Sequence, residues 1–234
     1  SVTREQFLKM LIEAADIETD EAENTFEDVK DLWYKPYVLT AKKLGITGGI
    51  GSGKSVVSKL LSVWNIPVYD TDSRSKEILS EDEGVKSSLS ELLGDEIYAG
   101  GVLDRALMAS KIFNDKELLE RANGIIHPAV IRDFERWCSA QKSSIVGCES
   151  AILLQGDLKG KLDYVLTVSC PEDVRIDRAC SRDNSDRDAV QARVRNQMSD
   201  EERERLADFT VVNDGNSSLI MQVKLIIVSL LEKA

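Results

Sequence analysis

Histidine and cysteine are scarce in this chain of 234 residues: one histidine, His127, and four cysteines. Cys138, Cys148, Cys170 and Cys180 have no partner within nine residues, so no CxxC pattern exists, and with a lone histidine there is no zinc constellation. So few thiols over this length exclude a disulfide scaffold. Together with an amino terminus that carries no signal-like segment, they predict a cytoplasmic protein in a reducing environment. Long apolar runs are also missing. The stretch from Leu219 to Leu231 is interrupted by Gln222, Lys224 and Ser229 and is too short to span a bilayer. Positive charge is in deficit, 30 Lys+Arg against 41 Asp+Glu for a net of −11. That speaks against nucleic acid or an anionic membrane as partner, because counterion release needs a basic face. A small anion held by a few placed cations remains compatible. Nothing in the sequence sets an oligomeric state.

What is present divides in two. In residues 1–39, Phe7, Met10, Leu11 and Ala14 form one helical stripe, introduced by Thr3 and Gln6 in the spacing of a capping box. Ala22, Phe26, Val29 and Trp33 form a second stripe, stopped by Pro36. This predicts an acidic helical hairpin of unassigned role, too small to be stable alone. It holds four Lys+Arg and ten Asp+Glu, more than half of the net charge.

Residues 40–234 read as one α/β domain. Leu44–Thr47, Ile66–Tyr69, Ser144–Cys148, Tyr164–Ser169 and Phe209–Val212 read as strands, separated by helical patterns over 53–63, 116–141, 172–182 and 187–198. Strands alternating with helices predict βαβ units and a parallel sheet covered on both faces. An Asn213-Asp214-Gly215 turn precedes a closing helix.

Gly48-Gly49-Ile50-Gly51-Ser52-Gly53-Lys54-Ser55 completes the pattern G-x-x-x-x-G-K-[ST], after a predicted strand and before a predicted helix. Glycines let successive N–H groups turn inward, and the following helix start favours negative charge. Lys54 should reach the β- and γ-phosphates of ATP, and Ser55 should ligate Mg²⁺. The second strand ends in Asp70-Thr71-Asp72. Ligand-facing groups emerge at the carboxyl ends of strands in such sheets, so two carboxylates there suit a kinase. Asp70 is the candidate base for an attacking hydroxyl. Asp72 either holds a metal-bound water or caps the next helix. No guanine-reading N-K-x-D motif occurs.

Residues 172–205 hold eight arginines and no lysine. Arg175, Arg178 and Arg182 share one helix face, and Arg193 with Gln197 follows at i, i+4 after an Asp183-Asn184-Ser185-Asp186 loop. Arginine without lysine favours forked contacts to phosphate. A helix–loop–helix lid closing over ATP would use them, with Arg182 and Arg193 on the two sides of the loop the strongest candidates. The competing reading for the other arginines is a salt-bridged surface helix.

The ordered set from Gly45 to Ser55, Asp70-Thr71-Asp72, His127-Pro128, Arg175/Arg178/Arg182, Arg193 through Gln197, and Ala207-Asp208 followed by Val212-Asn213-Asp214-Gly215 resembles dephospho-coenzyme A kinases over about residues 42–230. The resemblance implies a three-layer P-loop NTPase fold. Its core would be residues 40–74, 143–171 and 207–234, with a helical acceptor-binding region over about 75–142 and a lid over about 172–206. It implies transfer of the γ-phosphate of ATP, with Mg²⁺, to the ribose 3′-hydroxyl of dephospho-coenzyme A. Residues 48–55 with Val56, Arg182 and Arg193 would bind ATP. Asp70, Lys54 and Arg182 would be catalytic, and Asp70, Asp72, Lys76 and His127 would meet the acceptor. His127 either contacts the acceptor or caps a kink before Pro128. Three departures stand out. Lys76 occupies a position often arginine, losing the fork. Gln155 replaces a family glutamate, so that Glu149 would have to supply a carboxylate from elsewhere. Val56 replaces a frequent threonine.

Overall fold

The computed structural model describes residues 41–113 and 115–232. The hairpin expected over residues 1–39 lies outside them. At the centre is a parallel sheet in the order β2-β3-β1-β4-β5, formed by β1 (Lys42–Gly48), β2 (Val68–Asp70), β3 (Ile145–Glu149), β4 (Tyr164–Ser169) and β5 (Phe209–Val212). Apolar residues fill both faces of the inner strands, as a sheet sandwiched between helices requires. The second strand is shorter at its start than the apolar run suggests. Pro67 has no N–H to give to a ladder, and regular pairing begins after it.

Helix α1 (Lys54–Val63) joins β1 to β2. Between β2 and β3 come α2 (Thr71–Glu81), α3 (Glu83–Leu93), α4 (Arg105–Ile112) and the long α5 (Lys116–Ser139), which continues through Pro128. Between β4 and β5 come α6 (Glu172–Asp183), α7 (Arg187–Arg195) and α8 (Asp200–Leu206). Helix α9 (Leu219–Glu232) closes the fold after the turn at Asp214, whose carboxylate accepts from the N–H groups of Asn216 and Ser217. The expected helix over 187–198 ends at Arg195. Gln197 therefore follows the helix instead of sharing a face with Arg193.

Two apolar layers cover the sheet. On one side Tyr69, Ile78, Leu89, Phe134, Val146 and Cys148 pack under α2, α3 and α5. On the other Leu44, Ile46, Leu61, Leu166, Val211 and Ile227 pack under α1 and α9. β3 serves both layers, Val146 and Cys148 facing one and Ile145 the other, which is the period of two at work. Among the described residues, aspartates recur at helix starts. Asp70, Asp82, Asp104, Asp115 and Asp186 each cap a helix by accepting from its first turn, where the exposed N–H groups and the helix dipole favour a carboxylate.

The register decides what meets at the carboxyl-terminal edge. Asp70 pairs with Glu149 across β2 and β3, Ile46 with Glu149 across β1 and β3, and Gly48 with Val168 across β1 and β4. The glycine-rich loop, the end of β2 and the end of β3 thus open on the same side.

Candidate active site

The loop from Gly48 to Gly53 needs glycine for two different reasons. Gly51 has φ +75 and Gly53 φ +104, backbone conformations that an L side chain resists. Gly49 needs its size: a Cβ there would run into the guanidinium of Arg175. The loop is also tied from outside. Gln197 Oε1 accepts from the Ile50 N–H at 2.9 Å, and Asn213 Nδ2 donates to the Ser52 carbonyl at 2.8 Å. Lys54, the first residue of α1, folds back so that Nζ donates to the carbonyls of Gly48 and Gly49 at 3.0 and 3.3 Å. Burial lowers its pKa below the ordinary lysine value. Glu149 and Asp72 pull it up, and Arg203 and Arg182 push it further down.

The loop floors a cleft of about 430 Å³ lined by Lys54, Ser55, Asp72, Glu149 and the arginines Arg178, Arg182 and Arg193. Ser55 is exposed to it; Val56, also exposed, stands outside its lining. Glu149 is partly buried, and Ser58 Oγ donates to its Oε2 at 2.6 Å. Desolvation raises its pKa, and the neighbouring Asp70 and Asp72 add to the rise. Glu149 and Asp72 are thus the two carboxylates that line this cleft. Gln155 is exposed at the end of the turn Leu153–Gln155 and lines neither this cleft nor the one beside it.

A second, more apolar pocket of about 210 Å³ adjoins the first, lined among others by Asp72, Asn123, Ile126, His127, Val130 and Leu153. Asp72 lines both, so the two spaces share a wall. His127 is half-buried there. Among the described residues it has no hydrogen-bond partner, so it caps no carbonyl before Pro128. Lys76 is exposed on α2 and outside this lining. Arg74, close by in sequence, is committed elsewhere. Its Nε and Nη2 donate to Asp133 on α5 at 3.0 and 3.1 Å, and Tyr69 donates to the same carboxylate at 2.8 Å.

The capping role belongs to Asp70, not to Asp72. Asp70 Oδ1 accepts from the N–H groups of Asp72 and Ser73 at 3.0 and 3.2 Å, and Oδ2 accepts from Ser73 Oγ at 2.7 Å. Asp72 sits inside the first turn of α2 with its carboxylate toward the clefts. The physical reason is backbone geometry. Asp70 is extended, as a cap must be, whereas Asp72 is already helical.

The three arginines expected on one face of α6 separate by depth. Arg175 is 1% exposed, Arg178 half-buried and Arg182 exposed. Arg175 donates through Nε to the Cys170 carbonyl at 3.1 Å and through Nη2 to Asp200 at 2.5 Å. Arg203, buried too, donates to the same Asp200 and to the Met198 carbonyl. This Arg175–Asp200–Arg203 group lies behind the loop, against Gly49. Sequence reasoning missed Asp200 and Arg203, since in the acidic run Asp200-Glu201-Glu202 nothing marks one carboxylate as partly enclosed. Among the described residues, two buried side-chain polar atoms have no hydrogen-bond partner, Ser52 Oγ and Arg175 Nη1. Ser52 belongs to the phosphate-loop motif, and Arg175 packs on it. Arg178 donates to the Asn213 carbonyl at 3.2 Å. No helix among the described residues is long and apolar enough to cross a membrane.

Comparison with known proteins agrees with this geometry. Residues 43–218 match the family model described as dephospho-CoA kinase. The chain is 42% identical over 194 residues to the dephospho-CoA kinase of Bacteroides fragilis, covering 82% of this chain and 95% of that protein. It is 33% identical over 174 residues to the dephospho-CoA kinase of Fusobacterium nucleatum, covering 74% and 90%. Among solved structures it is similar to TT1252 from Thermus thermophilus, with TM-score 0.71 and 33% identity over 82% of this chain and 98% of that one.

Proposed function

The chain belongs to the dephospho-CoA kinase family, and from that premise we propose that it transfers the γ-phosphate of ATP to the 3′-hydroxyl of dephospho-coenzyme A. The observation that carries this reading is the shared wall: a triphosphate-sized polar cleft and a more apolar pocket meet at Asp72, beside Asp70. Two substrates must lie side by side for a direct transfer, and the gain comes mainly from holding them in line.

In this reading the loop from Gly48 to Ser55 holds the phosphates, with Val56 just behind it. Lys54 leaves the Gly48 and Gly49 carbonyls for the β- and γ-phosphates, and Arg182 and Arg193 close from the lid over about 172–206. Asp70 accepts the proton of the acceptor hydroxyl at Oδ2, where Ser73 Oγ now donates. As the proton leaves, the hydroxyl oxygen forms its bond to the γ-phosphorus and ADP departs. The acceptor occupies the pocket formed with the helical region 75–142, against His127 and Asp72. Lys76 meets whatever part of it projects along α2.

The side chains also suit Mg²⁺. Ser55, Asp72 and Glu149 are hard oxygen donors facing one cleft. Among the described residues no cluster of three or more His, Cys, Asp or Glu forms a cage for a metal. That fits an ion which keeps waters and phosphate oxygens as ligands and takes one or two groups from the protein. When bound it would neutralise charge on the transferring group. Ser55 would hold it directly, and Asp72 and Glu149 through water.

The test is an acceptor panel with ATP: dephospho-coenzyme A, nucleosides and shikimate. Turnover on dephospho-coenzyme A is expected, and turnover on another acceptor alone would refute the reading. Asp70→Asn should lower kcat by on the order of 10²–10⁴-fold while ATP affinity stays nearly intact. An unchanged kcat would remove Asp70 as base.

A further inference from the structure

Helix α6 ends on an anomaly. Asp183 is its last residue, and Asn184, in the left-handed conformation at φ 50, closes it. A carboxylate at a helix C-terminus faces the negative end of the dipole, where a cation is favoured. Helix formation therefore does not ask for an aspartate here, and some other interaction must hold it.

That interaction is with the two lid arginines. Arg182 donates from Nε to Asp183 Oδ1 at 2.7 Å and from Nη2 to Oδ2 at 3.0 Å. Arg193, from α7, donates from Nη1 to the same Oδ2 at 2.7 Å. One carboxylate thus gathers cations from two helices, and together they hold its pKa well below the usual carboxylate range. Arg182 and Arg193 both line the cleft in front of the loop. A guanidinium has five N–H donors in a rigid fork. Asp183 engages only one edge of Arg182 and one nitrogen of Arg193, which leaves the remaining donors of both for a ligand.

We propose that Asp183 is a positioning residue for phosphoryl transfer: its carboxylate yokes Arg182 and Arg193 so that both guanidiniums meet the triphosphate as one preset pair. The proposal rests on the reading of the cleft as the ATP site. Its physical basis is that a free arginine side chain samples many rotamers and loses that freedom on binding. Two arginines ordered in advance need not be ordered when the phosphate moves. The opposite reading is that Asp183 competes with phosphate and must be displaced.

The experiment uses the full chain, with kcat and KM for ATP measured on Asp183→Ala, Asp183→Asn, Arg182→Met, Arg193→Met and the double variant Asp183→Ala/Arg193→Met. Thermal midpoints and nucleotide dissociation constants accompany them. Asp183→Ala should lose about tenfold or more in kcat, in keeping with the cost of misplaced catalytic groups, at an unchanged midpoint. Asp183→Asn keeps the shape and one acceptor and should fall between it and wild type. Removing Asp183 from Arg193→Met should cost several-fold less than removing it from wild type, because the yoke is already broken. A merely structural role would lower the midpoint without this coupling. Wild-type kcat in both Asp183 variants, or tighter ATP binding with undiminished kcat, overturns the proposal. If Arg182→Met retains full activity, or wild type fails to phosphorylate dephospho-coenzyme A, the reading beneath it fails as well.

Discussion

In front of the phosphate loop and behind it stand two versions of one device: two arginines bridged by one aspartate. Behind the loop Arg175 and Arg203 share Asp200, and both guanidiniums are buried. In front Arg182 and Arg193 share Asp183, and both are more than half exposed. The chemistry is alike and the solvent is not. A buried charge must be paired to exist at all, and breaking its pair leaves it stranded. An exposed pair contributes little to stability, because water screens it and the side chains lose freedom in forming it. The rear group therefore fixes the shape of the loop, and the front group is free to serve a ligand.

The largest effect expected from this contrast is in stability. Asp200→Ala would strand two buried guanidiniums and should cost about 3–5 kcal/mol in urea unfolding. Asp183→Ala, its counterpart in front, should leave the unfolding midpoint where it is and act on turnover. If both variants lose equal stability, or if Asp200→Ala unfolds like wild type, the division into rear and front roles is wrong.

A smaller effect tests the contact between the rear group and the loop. Gly49→Ala should destabilise by about 1–3 kcal/mol, the usual cost of overpacking, and should weaken ATP binding by displacing the loop. Because the obstacle is the Arg175 guanidinium, the same substitution should cost less in an Arg175→Met background. Equal costs in the two backgrounds would mean that Gly49 is needed for something other than space.

Much of this was legible in the residues, and the rest was hidden for physical reasons. The five strands and the phosphate loop follow from apolar runs and a motif whose mechanics demand a strand before it and a helix after it. Arg182 and Arg193 could be singled out because they flank a loop. The i, i+3, i+7 spacing put Arg175 on the same face as Arg182 but carried no measure of depth. As α6 crosses the loop, that face passes from the interior at Arg175 to the cleft at Arg182. Cap identity was invisible for a related reason. Asp70 and Asp72 are the same residue type two positions apart, and only the backbone conformation at Asp70 decides which one caps α2. Glu149 could be suspected only as a substitute for the carboxylate missing at Gln155. The pairing of Asp70 with Glu149 is what brings it to the cleft.

The smallest effect reads both arginine groups through one residue. Lys54 lies between them, and after burial and the opposing pull of Glu149 and Asp72, Arg203 from behind and Arg182 from in front each lower its pKa. The protonated amine is the form that attracts phosphate, and it is lost as pH rises through its pKa. The alkaline limb of kcat/KM for ATP, which reports the free enzyme, should therefore fall below the ordinary lysine value of 10.5. Removing a neighbouring cation favours the protonated amine, so Arg182→Gln should move that limb upward, and only slightly because the charge removed is largely solvent-exposed. The measurement is the pH profile of the residual activity in Arg182→Gln against wild type. A wild-type limb at 10.5 would mean that burial does not tune Lys54. A limb that moves downward in the variant would mean that the front arginine acts on Lys54 through the loop's shape, not through its charge.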